Sequence, residues 1–333
     1  MNKPFIFLLF FSFICNAQIF ITHENDFLAI DNKDENYTGG LNIELLFEKF
    51  NFKQPFYELK DSYNMQTISL GGVGYTPQDL TSVIPVIGDR PYSSLVYLVF
   101  GKNSIKLDNS ESISSKFLIG NMGGSGPGRV QYFLHDVNFL GSARPNPLGW
   151  HNQIGYDGSL VLNYNVRYLK RLNKKLTPQS SFFKNTSYTV GVDLGNYMIN
   201  LQGGFFVDIV NLNSYPTLGY RNIMIPTKSN FKSNYIEKKN FRGSFFINPF
   251  VRIVGYNSTL EGLMFNDKSV YTIPHSEVNR VLFEFNTGIR LLLWERFHLK
   301  YTFTARTQEF TGGKKMHYWG GVTIGYTPKK WIH

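Results

Sequence analysis

The feature that most constrains this chain is an alternation of apolar and polar side chains over segments of about ten residues. In one segment, Leu41, Ile43 and Leu45 share a face, and Asn42 and Glu44 lie on the other. The same alternation recurs in three further segments: 159–168, 281–290 and 297–306. A period of two is that of a β-strand, so the pattern predicts an all-β fold whose strands have one apolar and one charged face.

Alternation alone does not separate a soluble sandwich from a membrane barrel, because both have strands with two unlike faces. The composition favours the barrel. Of the 333 residues, 16% are aromatic and only 17% are charged, and the last strand, Tyr318–Tyr326, is rich in aromatic residues and glycine. We therefore predict an antiparallel transmembrane β-barrel with its apolar face toward lipid and its polar face toward the lumen.

The first 17 residues have the features of a secretory signal peptide, with Lys3 as the positive charge, Pro4–Ile14 as the apolar region and Ala17 before the cleavage point. Cys15 is the single cysteine and would leave with the signal. The mature chain would then lack thiol catalysis, cysteine-ligated zinc and disulfides. Lipidation of Cys15 is an alternative, but Ile14 stands where that process needs a small residue.

We predict one outer-membrane barrel domain over residues 18–333 with about twelve strands. Thirteen segments are candidates: 18–26, 37–47, 66–75, 92–101, 114–121, 158–170, 187–196, 200–210, 242–254, 258–272, 279–293, 296–306 and 317–326. Because a single-chain bacterial barrel has an even number of strands, one of these segments is expected to be wrong.

If the first strand rises from the periplasm, the connections after strands one, three and five lie outside the cell, near 27–36, 76–91 and 122–157. The third is longer than a bare connection requires, and such loops commonly carry function. Within it, Arg129–Leu140 has helical spacing, with Gln131 and His135 on its polar face. We predict a short amphipathic helix that covers part of the barrel.

Polar residues converge at this extracellular end. Asn25, Asp26 and Thr38 offer hard oxygen ligands of the kind that Ca²⁺ prefers. His135 is a candidate general base near neutral pH, and Gln131, one helical turn earlier, is placed to orient it, a substrate group or a water. The chain has no Gly-x-Ser-x-Gly motif, so ester hydrolysis here would use activated water rather than an acyl-enzyme.

Each candidate also has a structural interpretation. Asn25-Asp26 is a common turn pair at a strand end, and strict alternation places the two on opposite faces, so joint metal binding requires the strand to break there. Thr38 has the parity of a lumen residue, and His135 alone is often structural. The glycine-rich segment 123–128 lacks the Gly-Lys-Ser/Thr of a phosphate loop and is predicted to be a flexible turn.

A set of short polar motifs runs through the chain in a fixed order. They are Glu24-Asn25-Asp26, Asn36-Tyr37-Thr38-Gly39-Gly40-Leu41, Tyr75-Thr76-Pro77, Gly88-Asp89-Arg90-Pro91-Tyr92, Gly126-Pro127 with Val130-Gln131 and His135, and Gly149-Trp150-His151-Asn152-Gln153. A last hairpin carries Phe310-Thr311-Gly312-Gly313 and His317-Tyr318. In order and spacing these motifs resemble the outer-membrane lipid A 3′-O-deacylase (LpxR) family over nearly the whole mature chain.

The resemblance implies a twelve-stranded barrel, dependence on Ca²⁺ and an active site between the barrel wall and a loop helix facing the outer leaflet. It implies that His135 activates water beside Gln131, and that Asn25, Asp26 and Thr38 hold the metal and the substrate carbonyl. The implied reaction is Ca²⁺-dependent hydrolysis of the 3′-linked acyloxyacyl ester of lipid A.

The chain departs from the family pattern in two places. Family members tend to have Ala-Gly-Trp where this chain has Ser93-Ser94-Leu95, and some carry a functional lysine where this chain reads Gln78–Ser82. Both departures concern contacts to the lipid A phosphates. Asp89 and Arg90 are the predicted substrate-binding residues, with an ion pair at the barrel rim as the alternative.

A net charge of +10 suggests a polyanionic partner such as nucleic acid, phospholipid or lipopolysaccharide, but the basic residues form no long run. We predict lipopolysaccharide and outer-membrane lipid as the partners, no nucleic acid, and a monomer in the bacterial outer membrane. Two alternative functions remain: a non-catalytic barrel that acts as a pore or binds lipid, and an outer-membrane phospholipase.

Overall fold

Twelve antiparallel strands close into a barrel in the computed structural model of the protein, which describes residues 17–29, 35–48, 55–136, 145–172, 186–212, 240–266 and 268–328. The strands are β1 Gln18–Asn25, β2 Asn36–Phe47, β3 Ser62–Thr76, β4 Ser93–Lys106, β5 Glu111–Met122, β6 Ser159–Arg171, β7 Thr186–Gly195, β8 Met198–Leu212, β9 Phe241–Asn257, β10 Val281–Leu293, β11 Phe297–Thr307 and β12 Met316–Tyr326. Each strand pairs with its sequence neighbours, and β1 pairs with β12 to close the barrel. The predicted fold class is confirmed. The predicted signal peptide lies almost wholly outside the described residues.

Short helices occur in the connections. They are α1 Gly126–Asp136, α2 Ser258–Glu261 and three single turns of 3₁₀ helix at Asp26–Leu28, Trp150–Asn152 and His275–Glu277. In the described ranges, no helix has the length and apolar character needed to cross a bilayer. The predicted loop helix is present as α1, but it begins at Gly126 rather than Arg129, and residues 137–140 lie outside the described part.

The segment 258–272 was predicted to be a strand, and that prediction is wrong. β9 ends at Asn257, whose side-chain oxygen accepts a hydrogen bond from the Thr259 amide (3.0 Å) and caps α2. Leu260 then packs against Ile273 over the lumen. The apolar side chains that imitated a strand therefore belong to a connection that folds across the barrel end.

The barrel wall has the two faces that the alternation predicted. Leu41 and Ile43 point outward and are 51% and 40% exposed. Glu44 points inward, where its carboxylate pairs with the ammonium group of Lys116 on β5 (3.1 Å) across the lumen. The outward side chains thus form an apolar belt, and the inward ones form a polar interior.

The interior is filled near both ends. At the end away from the connection that carries α1, seven apolar side chains pack together: Phe20, Leu46, Met65, Ile105, Leu169, Phe206 and Phe246. At the other end, here called the rim, two further apolar clusters form: Leu95, Met122, Ile154 and Val161, and Leu260, Ile273, Val278 and Phe310. A polar cavity of about 370 Å³, lined by Glu24, Arg252 and Arg306 among others, lies between them.

Ile43→Arg is expected to destabilise the barrel by about 2–4 kcal/mol, because the charge would face hydrocarbon near the middle of β2. Asn42→Ser, one residue away on the inner face, is the matched control and should have little effect. Urea unfolding of both variants refolded into lipid vesicles measures the difference. Equal losses of stability at the two positions would contradict the assignment of faces.

Candidate active site

A row of small residues crosses the outer wall at the rim. Asn25 pairs with Gly320 of β12 on one side and with Gly39 of β2 on the other. The row continues to Gly74 of β3 and Ser94 of β4. Directly paired residues share a face, and the alternation of β2, in which Leu41 is outward, puts this row outside the barrel. The row forms a shallow strip in which Asn25 is the largest polar side chain.

Asn25 and Asp26 lie where β1 ends. A break in the strand at this point is the condition under which both side chains can bind one metal ion. The Asn25 Oδ1 atom accepts a hydrogen bond from the Phe27 amide (2.9 Å) and caps the 3₁₀ turn. The carboxylate of Asp26 is only 2% exposed, and its Oδ2 accepts a hydrogen bond from the Glu35 amide (2.8 Å). The two residues that form the turn at the end of β1 are therefore also the two adjacent residues of the candidate site.

The segment after β1 folds back over the outside of the barrel. A Cβ atom on Gly320 would lie 2.4 Å from the Leu28 carbonyl oxygen, so only glycine allows this close approach. The Tyr301 hydroxyl donates a hydrogen bond to the same oxygen (2.7 Å). Asp26 is therefore held against the outer wall, beside the strip of small residues.

Thr38 is the extra residue of a β-bulge. The pairing of β2 with β3 shifts between Tyr37 and Gly39, so Thr38 does not follow the alternation that predicted a lumen position. The Tyr37 ring lines the inner cavity, whereas the Thr38 hydroxyl lies 2.5 Å from the hydroxyl of Thr76 at the end of β3. The bulge brings Thr38 to the same outer surface as Asn25.

The helix α1 packs on the outside of β3 and β4. Gln131 faces the wall: its Oε1 accepts a hydrogen bond from the Trp150 indole (2.9 Å), and the side chain is 8% exposed. Val130 and Phe133 point away from the barrel and are 59% and 62% exposed. The helix covers the wall as predicted, with its polar residue inward and its apolar residues outward.

Trp150 is the spacer between α1 and the wall. A Cβ atom on Gly128 would lie 2.7 Å from its indole ring, and one on Gly74 would lie 3.5 Å from it. Tyr92 packs on the same ring, with centroids 4.9 Å apart. The sequence motif Gly149-Trp150 marked this residue without giving its role.

Position 135 lies four residues after Gln131 in α1, and its side chain is outside the described atoms.

Arg90 has a different place from that expected of a substrate-binding residue. Its side chain is 1% exposed and sits inside the rim, where Nη1 donates to Glu309 (2.6 Å) and Nη2 to Thr259 (2.8 Å). Burial alone would raise the pKa of Glu309, but Arg90 and Arg306 outweigh it and lower the pKa to about 2. Arg90 thus ties its loop to the loop after β11 through an ion pair at the rim, and its partner is Glu309 rather than the neighbouring Asp89.

Asp89 also serves the loop. Its carboxylate accepts hydrogen bonds from the amides of Gln78 (2.7 Å) and Arg90 (2.6 Å). The departure at Ser93-Ser94-Leu95 has a structural counterpart: Ser94 donates to the Gln153 side chain (2.7 Å), and Leu95 fills the lumen cluster. These residues hold the rim loops in place.

Sequence reasoning missed Glu35 and His317. Glu35 is buried, and its backbone amide donates a hydrogen bond to the Asp26 carboxylate. The Glu35 carboxylate pairs with the ammonium group of Lys314. His317 accepts a hydrogen bond from the Tyr37 amide (3.2 Å). The signal for His317 was its motif in the last hairpin. Among the described residues, no three His, Cys, Asp or Glu side chains gather as a metal site.

Comparison with known proteins places the chain in a family. The family model described as outer membrane protein LpxR matches residues 5–327. The chain belongs to the LpxR family of outer-membrane proteins. The apolar belt of this LpxR-family barrel accordingly faces the lipid of the outer membrane. No curated protein matches the chain.

One solved structure supports the same fold. LpxR from Salmonella typhimurium superposes with a TM-score of 0.67 at 18% identity, covering 93% of this chain and 99% of that one. The KdgM porin covers 93% of this chain and 98% of its own, with a TM-score of 0.37 at 8% identity. The β domain of the Bordetella autotransporter BrkA covers 93% and 97%, with a TM-score of 0.41 at 8% identity. The last two likenesses are too weak to support an argument about this LpxR-family chain.

Proposed function

We propose that this LpxR-family protein is a Ca²⁺-dependent lipid A 3′-O-deacylase that hydrolyses the 3′-linked acyloxyacyl ester in the outer leaflet. The observation that carries the proposal is the position of the polar set. Asn25, Asp26 and Thr38 lie on the outer wall at the rim, which we take as the extracellular end because the loop that carries α1 is long. Gln131 lies on the side of α1 that faces the wall, and the opposite face of α1 exposes apolar side chains. A hydrolytic site in that position serves a substrate that is itself embedded in the membrane.

In the proposed reaction, His135 takes a proton from water as the water oxygen bonds to the ester carbonyl carbon. Asn25 and Thr38 would orient the carbonyl through their side-chain groups. The bond from that carbon to the sugar oxygen then breaks, and the proton passes from His135 to the departing alcohol. The products are the free acyloxyacyl acid and a 3′-hydroxyl on lipid A. Gln131, fixed by its hydrogen bond from Trp150, would hold the water or His135 in line.

The oxygen donors fit Ca²⁺ by their chemistry. Asp26 supplies a buried carboxylate whose described hydrogen bond uses one lone pair of Oδ2, and Asn25 supplies a neighbouring amide oxygen. We propose that these two residues hold the ion. When bound, Ca²⁺ would polarise the ester carbonyl.

The pore alternative is disfavoured by the interior. Apolar side chains of seven residues pack together across the barrel at the end away from the rim, and two further apolar clusters lie at the rim. The phospholipase alternative shares the chemistry and differs in substrate. An assay that offers both lipid A and a phospholipid distinguishes the two activities.

The test is incubation of the purified protein in detergent with Ca²⁺ and either lipid A or phosphatidylethanolamine, followed by mass spectrometry. Lipid A should lose the 3′-acyloxyacyl group as one unit, and phosphatidylethanolamine should stay intact. Rapid cleavage of the phospholipid with unchanged lipid A would reverse the ranking. Cleavage of neither would favour the non-catalytic barrel.

A further inference from the structure

We infer that His317 is a positioning residue, whose imidazole bridges β2 to β12 beyond the end of β1 and so fixes the bulge that presents Thr38. The catalytic part of this inference rests on the proposed function. The bridge itself is a feature of the fold.

The end of β1 leaves a gap in the wall. Its last pairs join Asn25 to Gly39 and to Gly320, so β2 and β12 continue toward the rim without a strand between them. In this gap the Tyr37 amide has no β1 partner. It donates instead to the His317 Nε2 atom, at 3.2 Å. A side chain thus replaces the ladder hydrogen bond that β1 would have made.

The His317 ring that forms the bridge is buried and packs against aromatic side chains. His317 is 4% exposed, and its ring stacks on Trp319 with centroids 5.1 Å apart. The Tyr37 ring also packs against Trp319, with ring centroids 5.2 Å apart. Because Nε2 accepts, the ring is neutral with its proton on Nδ1, and Nδ1 has no hydrogen-bond partner among the described atoms. Acceptance from Tyr37 is therefore the polar contact that the described structure gives this ring.

The bridge acts on the candidate site through one residue. Tyr37 immediately precedes Thr38, and the register of β2 changes just there. A bulge leaves its extra residue outside the regular ladder, so its position depends on the anchors on either side. On one side the anchor is the pairing of Gly39 with Asn25. On the other side Tyr37 is held by its pairing with Tyr75 toward β3 and by the His317 bond toward β12. Loss of that bond would leave the Thr38 hydroxyl less well placed toward the ester.

Two variants separate the hydrogen bond from the stacking. His317→Gln keeps an acceptor near the position of Nε2, whereas His317→Phe keeps a ring on Trp319 but cannot accept. We expect exchange of the Tyr37 amide with deuterated solvent to be about tenfold faster in His317→Phe and near wild type in His317→Gln. The shift in gel mobility on heating checks folding, and His317→Leu replaces the phenylalanine variant should that one fail to fold.

Kinetics test the positioning role. With lipid A as substrate, kcat should fall about tenfold or more in His317→Phe with KM little changed, and His317→Gln should restore it. Unchanged Tyr37 exchange in His317→Phe would overturn the bridge, and faster exchange with unaltered kcat would overturn the positioning role. Absence of any hydrolysis by the wild type would instead overturn the proposed function and this kinetic role with it, and the exchange measurement would still decide the bridge.

Discussion

His135→Ala is expected to lower kcat for lipid A deacylation by about 10²–10⁴, the usual contribution of a positioned general base. The barrel should still fold, because α1 lies outside the strand ladder and packs through Gln131 and Trp150. The measurement is the initial rate of release of the acyloxyacyl acid in detergent at saturating Ca²⁺.

His23→Ala is the matched control for this variant. His23 lies on β1, two residues before Asn25, with its ring 6.1 Å from that of Phe27. A change of less than about threefold is expected there, because the proposed chemistry gives that ring no role. A His135→Ala protein with wild-type activity would exclude this base and favour the non-catalytic barrel.

Asp26→Asn is expected to reduce activity as strongly as chelation with EGTA, by about 10² or more, because loss of the ion removes several kcal/mol of carbonyl polarisation. The amide keeps an acceptor for the Glu35 N–H, so this variant removes the charge and preserves the fold around it. The two measurements are the rate of hydrolysis and the amount of Ca²⁺ that the protein retains at equilibrium.

Asp108→Asn is the control for loss of a carboxylate. Asp108 accepts hydrogen bonds within the turn between β4 and β5, at the end of the barrel opposite the rim. It should retain full activity and full Ca²⁺ binding. Activity that EGTA does not reduce, with no tightly held metal in the protein, would exclude the metal from the mechanism.

The wall of this barrel was predictable because its physical rule is local. Each strand must present apolar groups to lipid and polar groups to the lumen. The three consecutive residues Leu41, Asn42 and Ile43 already show this alternation. The strand end at Asn25 was predictable for the same reason, since a capping pair acts on its immediate neighbours. These features need no knowledge of distant parts of the chain.

The remaining features depend on contacts between distant residues. The partner of Arg90 is Glu309, 219 positions away, so nothing near Arg90 distinguishes a buried ion pair from a ligand for phosphate. The bulge at Thr38 changes the parity of one residue without disturbing the alternation that follows it. The segment 258–272 contains Leu260, which packs in an apolar cluster at the rim, and a one-dimensional pattern does not separate such a residue from one in a lipid-facing strand.

The outer position of the polar strip determines the route by which the proposed substrate arrives. Because the polar strip lies on the outside of the wall, the ester of the proposed substrate would approach it sideways, by diffusing within the leaflet. Its effective concentration is then a surface density, set by the fraction of neighbouring lipids that carry the ester and not by the volume of the surrounding solution. For such a protein, crowding in two dimensions takes the place that solubility holds for an enzyme in water.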